Sequence, residues 1–447
     1  MRSYFILGMC GLFLIQYFVQ VEWLGPIVVV MTLIAFAGSA SKANPTARWF
    51  GVSMLLIGIA LEFGKGAGLQ GISKGISMNL PLLTLVILVP LLALPLKLGG
   101  YFSAIHILLQ SYRHHPRKLF TGITSVLFIL GPILNLGAVR IVDELLKDLK
   151  LPPVLLAKCY LVGFSTTMLW SPYYAAVGLV LYYLQIPVNT YMAYGIGLAL
   201  LFVLVGNVMF AISSRRHPLD MGGDLNTSFS AEALQANRKK LFQLGLIIVA
   251  LMSSTFLLEA WTHWSMLVIV SLVALAFPLL WGLLTNSWSR LLPHWDDFRN
   301  HSVPFMNNEI VLYSSAGLLG SAMQGTSFGD GIQWMLNSLA QQSFLLFAVS
   351  VVVTIVAITF IGIHPMVIVT ALVTQMNAED LGTSNQILAM LLMLSWSISS
   401  VLSPVNPLNL MVSRLTGLSG LQVGLRTNGL HLLVVATLGI VIITIIH

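Results

Sequence analysis

The sequence predicts an all-α polytopic membrane protein, with about eleven transmembrane helices plus two re-entrant hairpins arranged as two inverted repeats. Three observations predict it. Of 447 residues, 57% are hydrophobic and only 8% are charged, too little polar surface to cover a water-soluble core of this length. Apolar runs of about 20 residues, each long enough to cross a bilayer's hydrocarbon, recur from end to end. Finally, STTMLWSP at Ser165–Pro172 returns as SISSVLSP at Ser397–Pro404, 232 positions later. The same ungapped offset pairs Phe128 with Phe360, Ile129 with Ile361, Asp148 with Asp380, Leu149 with Leu381, Leu156 with Leu388 and Ala157 with Ala389. Duplicated helix breaks at corresponding places in two halves of an apolar chain point to a solute site between them.

The elements follow in order. Residues 1–22 begin with Arg2 and an apolar run that lacks a small-residue cleavage site, and Met9 ahead of Cys10 does not fit a lipoprotein signal. They read as an uncleaved extra helix over 4–20. The first repeat, 23–212, holds spans 23–41, 48–63 and 79–96, a basic loop, then 119–150, 154–184 and 188–212. A charged linker, 213–240, leads to the second repeat, 241–447, with spans 241–258, 264–284, 303–320, 343–376, 385–412 and 429–446. Segments 119–150 and 343–376 are too long for one simple crossing. The first breaks at Gly131-Pro132 and the second at Gly362-Ile363-His364-Pro365. Proline removes a backbone donor and glycine permits a tight reversal, so both segments read as re-entrant hairpins. The Ser-Pro breaks make 154–184 and 385–412 interrupted helices.

Charge supports this reading. The net charge is +7, but it is distributed as membrane-flanking basic residues rather than as a nucleic-acid surface. With two hairpins and eleven crossings, Lys42, Arg48, Lys97, Arg113, Arg117, Lys118, Lys147 and Lys150 all fall on one side. Arg215, Arg216, Arg238, Lys239, Lys240, Arg290, Arg299, Arg414 and Arg426 join them. Lys65 and Lys74 remain opposite, with Asp330, Glu379 and Asp380. The rule that basic loops stay inside then places the N-terminus in the cytoplasm and the C-terminus outside, in the plasma (inner) membrane. Counting either segment as a simple crossing spoils the sorting.

Several classes drop out. No GxxxxGK[ST] motif occurs, and the linker is too short for a nucleotide-binding domain. Cys10 and Cys159 sit in apolar helices, which leaves no disulfide framework or cysteine metal site. Gly66–Gly71 matches GxGxxG but follows a membrane helix, so it reads as an outer loop. His106, His114 and His115 read as part of a basic loop. Without paired carboxylates or a nucleophile–base set in the membrane, no enzyme is expected.

A helix broken at membrane depth exposes free N–H groups at one half-helix start and free C=O groups at the other half-helix end, costly in hydrocarbon unless ligated. Half-helix N-termini attract anions, and unwound carbonyls with Ser, Thr and Asn oxygens suit sodium. The cluster at Ser397–Asn409 is rich in such oxygens. Gly163–Tyr174, with Ser171, sets hydroxyls beside an aromatic wall. Candidate sodium ligands are Asn135, Thr166, Ser399 and Asn406; no other cofactor is expected. Intramembrane charge adds Arg140, which either pairs with Asp143 and Glu144 or draws an anion toward the first hairpin tip. Glu309 reads as a helix N-terminal carboxylate, or as a proton relay or cation ligand. His364 either caps its turn or hydrogen-bonds a solute.

The layout, the two broken-helix loops and IGIHP at Ile361–Pro365 resemble the ion transporter superfamily. That group includes divalent anion:sodium symporters, the large membrane subunit of TRAP transporters, and arsenite and citrate carriers. IGIHP is similar to the GIHP of TRAP large subunits, whereas neither hairpin tip carries the Ser-Asn-Thr of the divalent-anion symporters. The resemblance implies a scaffold and a transport domain that moves like an elevator, and it suggests a homodimer. It also implies a substrate site at Pro132, Leu134 and Asn135; Ser165, Thr166 and Thr167; His364 and Pro365; and Ser397, Ser399, Ser400, Ser403 and Asn406. Asn409 joins them from the polar cluster. The expected function is secondary active, sodium- or proton-coupled transport of a small anionic or polar solute. Two alternatives stay open: a flippase for a phosphorylated lipid or envelope precursor, and a non-transporting accessory or sensory membrane module. Expected partners are a small-molecule or lipid-linked anionic solute and membrane lipids, not nucleic acid.

Overall fold

Proline punctuates the helices. In the computed structural model, which describes residues 2–216 and 231–447, five of the described helices begin at proline. They are Pro45–Gly64, Pro116–Leu134, Pro153–Thr167, Pro365–Val373 and Pro407–Thr416. There the missing N–H would lack a helical partner anyway, and the ring pre-sets φ. Gly417 closes the last of them at φ +71, the left-handed geometry that ends a helix cleanly.

The chain is an all-α polytopic membrane protein. Among the described residues there is no strand, and nine helical stretches are long and apolar enough to cross a membrane. Leu24–Ala40 and Phe344–Phe360 are shorter apolar helices. Of the expected linker, the residues 217–230 lie outside the described residues. The flanking parts continue the helices Val188–Arg216 and Ala231–Thr262.

Both long apolar segments are interrupted, but the first not where proline suggested. Pro116–Leu134 runs through Gly131-Pro132, and the break comes at Asn135 (φ +54, ψ −142) before Gly137–Leu146 begins. Gly131 has a different task. A Cβ there would lie 2.5 Å from Thr167 Oγ1, so glycine lets this arm pack closely on Pro153–Thr167. The second segment breaks where expected, after Phe344–Phe360, with Gly362 at φ +114 and Pro365–Val373 following.

The two interrupted helices are Pro153–Thr167 with Ala175–Tyr183, and Asn385–Leu402 with Pro407–Thr416. Pro153 and Asn385 start helices at the same 232-residue offset as Ala175 and Pro407. The Oγ of Ser397 donates to the carbonyl of Ser165 (2.9 Å), its counterpart across that offset.

Four helical stretches replace expected loops. A helix begins at Gly68, inside the supposed outer loop, and leads through Asn79 into Leu80–Leu88; Tyr101–Ser111, Trp288–Asp297 and Ser327–Gln342 are also helical. These are short or amphipathic, and a search for 20-residue apolar runs does not register them.

Two groups of helices pack around the interior. In one, Asn307–Met323 lies against Leu24–Ala40, Pro45–Gly64 and Gly68–Met78. In the other, the interrupted helices pack on Pro116–Leu134 and Phe344–Phe360 and on each other. Asn385–Leu402 is the deepest element of the second group, buried from Ile387 to Val401.

Candidate functional site

A cavity of about 590 Å³ lies between the two groups. Four helix starts face it. Leu136 precedes Gly137–Leu146, Ala175 and Ala176 open Ala175–Tyr183, Pro365 opens the second arm of the second hairpin, and Pro407 and Leu408 open Pro407–Thr416. Each helix N-terminus carries a partial positive charge of roughly half a unit, although Pro365 and Pro407 have no N–H and the amides of Met366, Val367 and Leu408 are already bonded to their caps. Four of them around one cavity make a region of positive potential inside an apolar protein.

Side chains sharpen that potential. The Oδ1 of Asn406 accepts from the Leu408 N–H (3.1 Å), which leaves its Nδ2 as donor. The Nδ1 of His364 accepts from the Met366 N–H (3.2 Å), so a neutral ring carries its proton on Nε2. Both residues line the cavity. Each is a helix cap followed by proline: capping occupies the acceptor atom and leaves the donor for a ligand. Asn135 also lines the cavity, held at positive φ with no side-chain hydrogen bond among the described residues. Arg414 stands two turns along the helix from Asn406, on the same face as Leu410, and lines the cavity too.

The opposite wall carries Glu309 with Asn308, Tyr313 and Phe50. Asn308 Oδ1 accepts from the Asn44 N–H (2.9 Å). No Lys or Arg lies within ion-pair distance of Glu309 among the described residues.

Of the residues expected from sequence, the cavity thus collects Asn135, His364, Pro365, Ser400, Ser403, Asn406 and Glu309. The others lie elsewhere. Pro132 and Leu134 are buried in the first hairpin arm. Thr166 Oγ1 donates to the Gly163 carbonyl (2.8 Å) and Ser399 Oγ to the Trp396 carbonyl (3.0 Å), both inside their own helices. Ser165 and Ser397 bond to each other across the two interrupted helices. Asn409 is buried and donates to the carbonyls of Val401 (2.7 Å) and Gly420 (3.1 Å), so it meets an acceptor left open by the break. Ser171 is buried, and its hydroxyl has no hydrogen-bond partner among the described residues. Arg140 is exposed, away from the cavity; Asp143 accepts instead from the Tyr160 hydroxyl (2.9 Å).

Thr167 and Ser403 tie helix to hairpin in parallel fashion. Thr167 Oγ1 donates to the Leu127 carbonyl (3.4 Å) and Ser403 Oγ to the Thr359 carbonyl (2.8 Å). Leu127 and Thr359 are again related by the 232-residue offset.

Sequence reasoning missed Tyr313, Trp396 and Arg414 as cavity residues, and placed Tyr174 only within an aromatic wall. Of the three, only Arg414 left a signal, its i+4 and i+8 spacing from Leu410 and Asn406. Another cavity, of about 680 Å³ beside Tyr182–Thr190 and Glu259–Leu267, contains none of the expected site residues.

Neither a protein-family model nor a curated protein matches the sequence. Among solved structures, the fold is similar to that of the Alcanivorax borkumensis YdaH transporter. The TM-score is 0.57 at 15% sequence identity, over 89% of this chain and 98% of that one. At that identity the likeness is one of fold.

Proposed function

We propose that this chain is a secondary active transporter of a small anionic solute, coupled to sodium or protons and working by elevator-type alternating access. The convergence of four half-helix N-termini on one cavity carries the proposal. The dipoles of the four helix starts, Asn406 Nδ2, His364 Nε2 and Asn135 would bind the anion, and Arg414 would guide it along the Asn406 face. The fold-level likeness to the YdaH transporter supports the same class, as analogy.

In this reading Glu309 is the coupling group. A carboxylate facing an anion site repels the solute unless it is protonated or pairs with a cation, so solute and cation bind together. The Ser403 hydroxyl and the carbonyls at the break after Leu402 would supply oxygens for sodium. The two halves form inverted repeats, 23–212 and 241–447. Contact between Ser165 and Ser397 supports this, since a residue meets its own counterpart only close to a two-fold axis. The hairpins and interrupted helices move together against the group around Asn307–Met323, with the cavity at the sliding surface.

The test is uptake by proteoliposomes holding the purified full chain, screened with labelled carboxylates and oxyanions under imposed sodium or proton gradients. The reading expects saturable, gradient-dependent accumulation of at least one anion. Absence of accumulation under both gradients, together with bilayer exit of a phosphorylated lipid, would replace it with the flippase reading.

A further inference from the structure

The central cavity leaves a second, chemically different one unexplained. A trough of about 580 Å³ runs between Tyr101–Ser111, the first hairpin arm Pro116–Leu134 and the long helix Ala231–Thr262. Half of its lining residues are aliphatic, including Leu108, Ile129, Leu130 and Leu244, and Ile129 is 45% exposed on the outer surface. One end is cationic. Arg117 and Lys118 line it, and both lie in the first turn of a 19-residue helix that has no side-chain cap. Their amide N–H groups therefore add to the side-chain charge. Next to Tyr112, which also lines the trough, Arg113 is 6% exposed, with Nε and Nη1 lacking a hydrogen-bond partner among the described residues. Buried guanidinium nitrogens without partners are costly. Arg117 Nε donates to Ser214 Oγ (3.3 Å), which holds that side chain in place while its terminal nitrogens remain.

A hydrocarbon-sized slot open to the membrane, with cations and a helix N-terminus at one end only, matches an amphiphile with an anionic head. We infer that this trough binds one anionic phospholipid, its phosphate at Arg117 and Lys118 and an acyl chain along Ile129 and Leu244. The trough joins an arm of the first hairpin to a helix outside the hairpin, so an occupant ties the two together. The inference does not rest on the transport reading, because its residues share nothing with the central cavity.

The experiment is a thermal-shift titration of the detergent-purified full chain. The additives are dioleoylphosphatidylglycerol, dioleoylphosphatidylcholine and inorganic phosphate. The parent is expected to be stabilised by the anionic lipid at much lower mole fraction than by the zwitterionic one, and not by phosphate. Arg117→Gln with Lys118→Gln should weaken the phosphatidylglycerol response about thirtyfold, at about 1 kcal/mol per cation near a lipid surface. Gly245→Phe fills the trough from a position where a Cβ meets nothing within 4 Å, and it should diminish the response with all charges kept. Equal responses to the two lipids in the parent would overturn the inference. So would a parental phosphatidylglycerol response in the double variant, or a phosphate response matching that of the lipid.

Discussion

Asn135 holds a backbone conformation that glycine adopts without strain and asparagine does not. A strained residue at a hairpin tip with a free amide in a cavity implies that the side chain is kept for its chemistry. Asn135→Gly should therefore raise thermal stability, by about 1 kcal/mol, while removing any anion-dependent shift in Tm. Asn406 separates two tasks in one side chain. Asn406→Ser keeps an oxygen for the Leu408 N–H and loses the amide donors, so stability should stay near the parent while anion response disappears. Asn406→Ala also loses the cap, at about 1 kcal/mol, and should melt lower; the same melting curves check both. At this scale the sequence was only partly legible. The polar letters were visible, but not which hydroxyls bond to their own helices, as Thr166 and Ser399 do. The cavity instead draws on residues at breaks such as His364 and Asn406, whose local bond occupies one side-chain atom and leaves another for a ligand.

At the scale of elements, close packing explains what turn chemistry alone misassigned. Gly131-Pro132 resembles a break, yet the glycine is needed against Thr167 and the turn falls to Asn135. Gly163 answers it from the other helix: a Cβ there would lie 2.9 Å from Leu127 Cβ and 3.0 Å from Thr124 Cα. Gly163→Val must push the interrupted helix away from the hairpin arm. It should destabilise by about 1–3 kcal/mol and lengthen the already marginal Thr167–Leu127 bond (3.4 Å), measurable as a lower Tm with faster amide exchange at the tip. The second hairpin was readable because Gly362, His364 and Pro365 act in one turn, with no competing contact. Ser327–Gln342 and Tyr101–Ser111 were not, since one apolar face among polar residues gives no long run to find.

For the whole molecule, composition fixed the class and the 232-residue offset marked where the two halves meet. What no single segment could reveal was the meeting of four helix starts, because that depends on how distant segments pack. Glu309 tests the coupling half of the account. Glu309→Gln keeps the shape of the wall and removes its charge, so anion binding should persist while its dependence on sodium or pH is lost, as read by binding titrations across both variables. Unchanged ion dependence would place coupling elsewhere. The proposed anion site is tested most directly by isothermal titration of the purified chain with a panel of carboxylates and oxyanions, run beside Asn135→Gly and Asn406→Ser. The account predicts saturable binding of at least one anion to the parent and none to either folded variant. Parental affinity in both variants would contradict it.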